Sequence, residues 1–299
     1  MSRETEPLKK NSEVALADGP WKLRWRRFCR KRAAVVSLIF VICLIIVALL
    51  APWVAPHHYR TIFRGDRLNP PSSEYPLGTD NLGRCIFSRL IYGSRISLSV
   101  GLVAVGIALV SGVFLGLIAG YFGGAVDNII SRFIDVMLAF PAILLALVII
   151  AILGPNLFNL MIAVGIASIP SYTRLVRGAT LSAREETYVE ASRAVGTKSM
   201  KIIFRHILPN ISAPIIVMAT LGVAGAILAA ASLSFIGLGA PPPTPEWGAM
   251  LSGSRNFITR AWWMVTFPGL AITLTVLCIN MVGDALRDVL DPRLQGKTR

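Results

Sequence analysis

The chain has 299 residues, of which 54% are hydrophobic and only 15% are charged. Soluble domains carry roughly 25% charged residues, and the charges here are clustered, so long uncharged runs remain that a soluble core cannot absorb. A net charge of +14 would suit a nucleic-acid partner, but the basic residues lie at the ends of the apolar runs, where topology rules place them. We therefore expect an all-α membrane protein without a nucleic-acid partner.

The N-terminal third contains one predicted span and a polar loop. Residues 1–32 are polar and then basic, and a cleavable signal peptide is not expected because the first apolar run is too long. That run, residues 33–54, has 22 uncharged residues, enough to cross a hydrocarbon core of about 30 Å as the first transmembrane helix. Residues 55–95 are expected to form an extracytoplasmic loop, in which residues 86–92 make a short helix.

A core of five further spans is predicted for residues 96–286, followed by a charged tail at 287–299. Its first span carries three glycines in G-x-x-x-G-x-x-x-G spacing, which places them on one helical face: Gly112, Gly116 and Gly120. Such a face lets another helix backbone approach closely, so these residues are predicted to pack helices together.

The uncharged run from residue 136 to 173 is too long for one crossing. The turn residues Gly154, Pro155 and Asn156 break it near its middle, so we expect a hairpin of two spans. The last two spans are expected at residues 211–235 and 261–283, which brings the total to six. Between them, Trp247, Trp262 and Trp263 are expected at the headgroup level, where aromatic rings are favoured.

The distribution of lysine and arginine predicts the orientation. With six spans and an inside N-terminus, the inside segments carry 22 of these residues and the outside segments 8. The positive-inside rule then places both termini in the cytoplasm, together with the charged segment 182–209.

The segment 182–209 is a charged island between two apolar blocks, and it is expected to form two short helices with a bend. Ser182 and Glu185 have the spacing of a capping box, which would start the first helix. Gly196 can end that helix in the left-handed conformation, and Thr197 can cap the second.

The second helix is predicted to be amphipathic, because Met200, Ile203, Phe204 and Ile207 recur at helical spacing. Periodicity alone favours a basic helix that lies at a lipid surface.

The same segment resembles the EAA loop of ABC-importer permeases, whose pattern is E-A-A, three residues, G, nine residues and I-x-L-P. The residues that carry the resemblance are Glu190, Ala191, Ser192, Gly196, Leu208 and Pro209. Two positions depart from the pattern, since Ser192 replaces the second alanine and His206 replaces the isoleucine. The resemblance implies a cytoplasmic coupling helix that docks on an ATPase subunit, and we count Met200 and Ile203 with its coupling residues.

Beyond this loop, the chain is similar to the C-type permeases of dipeptide, oligopeptide and nickel importers. The runs that carry the similarity are GTDNLGR (78–84), GYFGG (120–124), SLSFIGLG (232–239), PPTPEWGAML (242–251) and GDALRDVLDPR (283–293). Departures are Cys85, where the family usually has Asp, and Ala230, where many members have Glu.

The resemblance implies the type I ABC importer permease fold in a bacterial inner membrane, with the chain forming half of a translocation pore. The implied partners are a homologous B-type permease, two cytosolic ATPases that bind ATP and Mg, an extracytoplasmic binding protein and membrane lipid. The chain itself is expected to have no catalytic residues, metal or cofactor. Dipeptides or oligopeptides are the expected cargo, with glutathione, nickel chelates and antimicrobial or other cationic peptides as alternatives.

Two other classes of protein are less well supported. An intramembrane enzyme needs paired catalytic polar groups within its spans, but the predicted spans contain no Asp, Glu, Lys, Arg or His. A secondary transporter usually carries an intramembrane charge or two matched broken helices, and neither is evident.

Overall fold

The computed structural model describes residues 25–26 and 28–290, and there the regular structure is helical. The helices are α1 (Arg32–Leu49), α2 (Ala51–Val54), α3 (Ile86–Phe122), α4 (Gly124–Leu138), α5 (Ala142–Leu153), α6 (Leu157–Arg184), α7 (Thr187–Ala194), α8 (Ser199–Ile202), α9 (Leu208–Asn210), α10 (Ser212–Phe235), α11 (Trp247–Ser254) and α12 (Trp263–Leu290). A π-helical turn (Ile203–Ile207) joins α8 to α9, and a 3-10 turn (Arg255–Phe257) follows α11. Most of the basic N-terminal segment and the tail after Leu290 lie outside the described residues.

Four helices are long and apolar enough to cross a membrane, namely α1, α3, α10 and α12. The α4–α5 pair, bent by 88°, gives a fifth candidate if it is counted as one broken span. Helix α6 has 28 residues, but its second half carries three arginines, and it is not among these candidates. The predicted break between α5 and α6 is confirmed, because Gly154 has φ +87° and the Asn156 side chain accepts a hydrogen bond from the Phe158 backbone N–H.

Helix α3 begins at Ile86, so the expected separate short helix over residues 86–92 is wrong and forms the first turns of α3. Arg89 and Arg95 had marked this stretch as part of a polar loop. Arg89 is in fact buried inside the helix end, where it lies near Asp80 and donates to the carbonyl oxygen of Pro243. A buried charge is tolerated when it is paired and hydrogen-bonded, so the helix continues through it.

Helices α3 and α6 pack closely along their length and run parallel. A Cβ atom built on Gly116 or Gly120 would lie 2.7 Å from a Cβ atom of α6, so the two backbones approach more closely than side chains at these positions would allow. The facing pairs are Gly112 with Tyr172, Gly116 with Val176 and Gly120 with Thr180. The residue numbers of these partners rise together along the two helices, so α3 and α6 run in the same direction and lie side by side.

Helices α1 and α12 run antiparallel, so the start of α1 lies beside the end of α12. Lys31 forms an ion pair with Asp288, and the Ser37 hydroxyl donates to the Met281 sulfur at 3.4 Å. The start of α1 and the end of α12 are therefore held at the same end of the bundle.

The opposite end of the bundle buries two of the tryptophans that were expected at the headgroup level. The Trp247 indole N–H donates to the Leu90 carbonyl at 3.1 Å, and the Trp263 indole N–H donates to the Thr79 carbonyl at 3.0 Å. Both rings are buried, while Trp262 is exposed. The N–H groups of the buried pair thus find main-chain acceptors that tie the loop to the helices. The position of this segment at the headgroup level stays a prediction.

Helix α11 at this end is capped by a buried carboxylate. The two oxygens of Glu246 accept hydrogen bonds from the backbone N–H groups of Gly248 and Ala249, at 2.8 and 2.7 Å. Burial raises the pKa of the Glu246 carboxyl, and the two N–H donors partly offset that rise.

Candidate functional site

The candidate site is the elbow, residues 185–211, which connects α6 to α10. The predicted capping box is wrong, because α6 continues to Arg184 and the Ser182 hydroxyl donates back to the Gly178 carbonyl. The first elbow helix, α7, starts instead at Thr187. Thr197 does not cap the second helix either, since Lys198 occupies the cap position of α8 without a side-chain hydrogen bond.

Gly196 ends α7 as the sequence predicted, with φ +74°. Its N–H donates to the Arg193 carbonyl at 2.9 Å, and the Thr197 N–H donates to the Ser192 carbonyl at 3.1 Å. These two bonds form a Schellman motif, which satisfies helix-end carbonyls and requires a left-handed residue at the glycine. The elbow therefore turns at Gly196, and the turn direction is set by backbone hydrogen bonds.

The apolar residues of the second half do not form one stripe. Ile203 and Ile207 are buried together with Ile202, whereas Met200 and Phe204 are 55% and 56% exposed. Ile202, Ile203 and Ile207 therefore form the buried face, and Met200 and Phe204 lie at its solvent-exposed edge. A π-helical turn runs over Ile203–Ile207.

The buried isoleucines hold the elbow against the bundle. They share a cluster with Val189, the buried residue of α7, and with Leu117 of α3 and Val176 of α6. Two polar contacts add to this anchorage at Tyr121, near the end of α3. The Arg193 guanidinium lies 5.2 Å from the centre of the Tyr121 ring, and Arg184 donates to the Tyr121 carbonyl at 3.3 Å.

The outer face of the elbow is apolar and exposed. Val195 is 79% exposed, and Met200 and Phe204 are each more than half exposed. Of the predicted coupling residues, the exposed ones are Glu190, Ala191, Gly196, Met200 and Pro209, the half-buried ones Ser192 and Leu208, and the buried one Ile203. The elbow thus exposes large apolar side chains beside charged ones, while its buried isoleucines hold it against the bundle. Such a surface is suited to a protein partner.

A second feature, which the sequence reasoning missed, is a groove of about 990 Å³ between α6 and α10. Small residues of α10 such as Gly222 and Gly225 open it, and Ser168, Ser171 and Tyr172 of α6 supply polar groups along it. Gly222 also packs tightly against α6, since a Cβ atom there would lie 2.1 Å from the Tyr172 hydroxyl oxygen, whereas a Cβ atom on Gly225 would meet nothing within 4 Å.

The part of the chain that the structure describes holds neither a cluster of metal-ligating side chains nor a disulfide. No three His, Cys, Asp or Glu side chains come together there in a way that could hold a metal ion. All four cysteines are free.

Residues 112–296 match the family described as binding-protein-dependent transport system inner membrane component. The chain belongs to this family. Residues 19–71 also match the N-terminal TM domain of oligopeptide transport permease C. The matched core includes the whole elbow and the groove. The protein is therefore a transmembrane permease subunit of an ABC importer and not an enzyme.

Curated relatives cover nearly the whole chain. The dipeptide transport system permease protein DppC of Alkalihalophilus pseudofirmus is 51% identical over 93% of this chain and 92% of its own length. The di/tripeptide transport system permease protein DppC of Pseudomonas aeruginosa is 48% identical, with 92% and 93% covered. The glutathione transport system permease protein GsiD of Pectobacterium atrosepticum is also 48% identical, with 92% of each chain covered.

A solved structure supports the fold. A chain of the MetNI methionine ABC transporter in an inward-facing conformation superposes with a TM-score of 0.56 at 20% identity. The match covers 68% of this chain and 96% of that chain. The permease fold of ABC importers is therefore present in the shared part of the bundle.

Proposed function

We propose that this permease forms half of the pathway through which an ATP-driven importer moves dipeptides or short oligopeptides into the cytoplasm. Two of the relatives described above are named for dipeptide or di/tripeptide transport, at 51% and 48% identity. The groove between α6 and α10 is the surface that would face the pathway and a homologous B-type permease. Glutathione, itself a small peptide, is the second candidate cargo, because a relative named for its transport is 48% identical.

The elbow is proposed to couple the pathway to ATP hydrolysis. The observation that carries this proposal is its two-sided construction, with Ile202 and Ile203 buried beneath and Met200 and Phe204 exposed above. Two cytosolic ATPase subunits, which would bind ATP and Mg, would dock on the exposed faces of this elbow and of its counterpart. Glu190, exposed on α7, is expected to meet a basic or amide group of the ATPase.

We further propose six membrane crossings: α1, α3, the α4–α5 pair, α6, α10 and α12. The parallel packing of α3 and α6 supports this count, because two parallel neighbours need one return crossing between them. The pairing of Lys31 with Asp288 supports an even number of crossings from the start of α1 to the end of α12. With the positive-inside bias, both termini and the elbow are cytoplasmic, and the loop of residues 55–85 is outside, within reach of a binding protein.

The test is transport by the reconstituted importer. The chain is co-expressed with its partner permease and ATPases, placed in liposomes, and supplied with ATP inside and peptide-loaded binding protein outside. We expect ATP-dependent accumulation of a labelled dipeptide that unlabelled dipeptide suppresses and excess glutathione does not. Accumulation of labelled glutathione in place of labelled dipeptide, in a parallel assay, would favour the second cargo. No ATP-dependent uptake of either label would overturn the proposal.

A further inference from the structure

A cavity of about 370 Å³ lies at the end of the bundle opposite the elbow. Most of its lining comes from the loop before α3 with the first turns of α3, the α5–α6 turn at Pro155, the loop 237–244 and α11. Ser234 of α10 and Met264 of α12 complete it. The volume falls at the lower end of the range of roughly 300–1,000 Å³ for small-molecule sites. Its position places it on the side from which cargo would enter under the proposed orientation.

The charged groups that line this cavity are unbalanced. Asp80, Arg84 and Arg89 all line it, so two guanidinium groups face one carboxylate. Arg89 is buried and already engaged, since it lies 3.8 Å from Asp80 and donates to the carbonyl oxygens of Tyr59 and Pro243 at 3.4 and 3.3 Å.

Arg84 is only partly engaged. Its Nε donates to Oδ2 of Asp80 at 2.6 Å, while Oδ1 of Asp80 accepts from the backbone N–H groups of Leu82 and Arg84. The two terminal nitrogens of Arg84 make no hydrogen bond with any residue that the structure describes. Asp80 therefore positions the Arg84 guanidinium and leaves its two terminal nitrogens available to a ligand in the cavity.

We propose that Arg84 binds a carboxylate of the transported peptide in this cavity as the peptide passes from the binding protein into the pathway. A guanidinium with free terminal N–H groups matches a carboxylate in shape and charge, and partial burial strengthens such a contact. Neighbouring Asn81 and Thr244 also line the cavity and can bind the rest of a small polar ligand. The inference rests on the proposed function, because it identifies the cargo as a peptide.

The experiment compares a labelled dipeptide that has a free C-terminal carboxylate with the same dipeptide amidated at that end. Uptake is measured in the reconstituted importer, with one preparation of binding protein throughout. The ratio of free-acid to amide uptake in a variant is then divided by the wild-type ratio, which cancels any preference of the binding protein itself.

In Arg84→Gln we expect this ratio to fall by about tenfold, the effect of losing roughly one charge-assisted contact. Asn81→Asp should lower it in the same way, by placing a negative charge at the cavity while keeping the Arg84–Asp80 pair. Asn81→Asp also carries the test if Arg84→Gln fails to assemble. The matched control is Arg64→Gln, which removes the same charge from an exposed position of the same loop and should leave the ratio unchanged.

Each result has one meaning. A wild-type ratio in assembled Arg84→Gln or in Asn81→Asp would overturn the inference and leave the proposed function intact. An equal fall in Arg64→Gln would also overturn it, because a general charge effect would then explain the data. No ATP-driven uptake of either peptide by the wild type would overturn the proposed function, and the inference with it.

Discussion

Gly196 determines how the two halves of the elbow are arranged. Its φ of +74° is costly for a residue with a side chain, by roughly 1 kcal/mol or more for a β-branched one. A Cβ atom at this position would meet nothing within 4 Å, so the cost is in the backbone alone. We therefore expect Gly196→Val to insert normally in the membrane but to lose most ATPase co-purification and peptide uptake.

The matched control for this prediction is Gly196→Asn, because asparagine tolerates the left-handed conformation far better than valine. It should retain most of both activities. Equal activity of the valine and asparagine variants would mean that the direction of the turn does not matter for coupling.

The exposed and buried residues of the elbow should respond differently to truncation. Phe204 is 56% exposed, so Phe204→Ala should barely change the melting temperature of the purified complex but weaken its association with the ATPases. Ile202 is fully buried, and Ile202→Ala should cost about 2–5 kcal/mol of stability through the cavity it leaves. Thermal unfolding and ATPase co-purification, measured on both variants, separate the two roles; a Phe204→Ala complex that melts early would argue against a docking surface.

At the residue scale, the sequence predicted the helix end that depends on the conformation of one residue. It missed the helix boundary that depends on packing against neighbouring helices. Gly196 was found because a left-handed helix end has few alternatives to glycine. Ser182 was misassigned because its S-x-x-E spacing carries no information on whether the preceding helix stops. That helix continues because Ala183 and Thr180 are buried, with Thr180 against Gly120 of α3.

Among the elements, the α3–α6 pair makes the sharpest prediction. A Cβ atom at Gly116 would lie 2.7 Å from the Val176 Cβ atom and 2.8 Å from the Thr173 carbonyl oxygen, so Gly116→Ala must push the helices apart. We expect a loss of about 1–3 kcal/mol, the usual cost of overpacking, seen as a lower melting temperature of the complex in detergent.

Gly106, on the same helix, provides the control, because a Cβ atom there would meet nothing within 4 Å. Gly106→Ala should be neutral or should stabilise by up to about 1 kcal/mol, since alanine favours the helical backbone. The two substitutions add the same methyl group to the same helix. Equal melting temperatures would show that close approach of α3 and α6 does not stabilise the bundle.

The elements also show where hydrophobic patterning stops being informative. The start of α3 was placed too late because Arg89 and Arg95 resemble loop residues until Asp80 and the Pro243 carbonyl are seen beside Arg89. The π-helical turn could not be anticipated, because a periodicity of 3.6 residues assumes regular winding. The glycines of α3 were correctly placed on one face, but their partners on α6 depend on the tertiary arrangement.

For the whole molecule, several independent contacts agree with one arrangement of the crossings. Lys31 and Asp288 hold the N-terminal end of the first span against the C-terminal end of the last one. Pro155, at the α5–α6 turn, lines the same cavity as Arg84 and Thr244. The turn therefore lies at the end of the bundle where α3 begins, as a transmembrane hairpin requires.

The orientation and the number of crossings can be tested together by labelling single cysteines with a membrane-impermeant maleimide. In a variant whose four native cysteines are replaced, Arg64→Cys, Pro155→Cys and Val195→Cys each place a thiol at an exposed position. We expect the first two to react in intact spheroplasts and Val195→Cys to react only after the membrane is opened. Protection of Pro155→Cys until that point would mean that α5 and α6 do not span, and reaction of Val195→Cys from outside would place the elbow on the wrong side for ATPases.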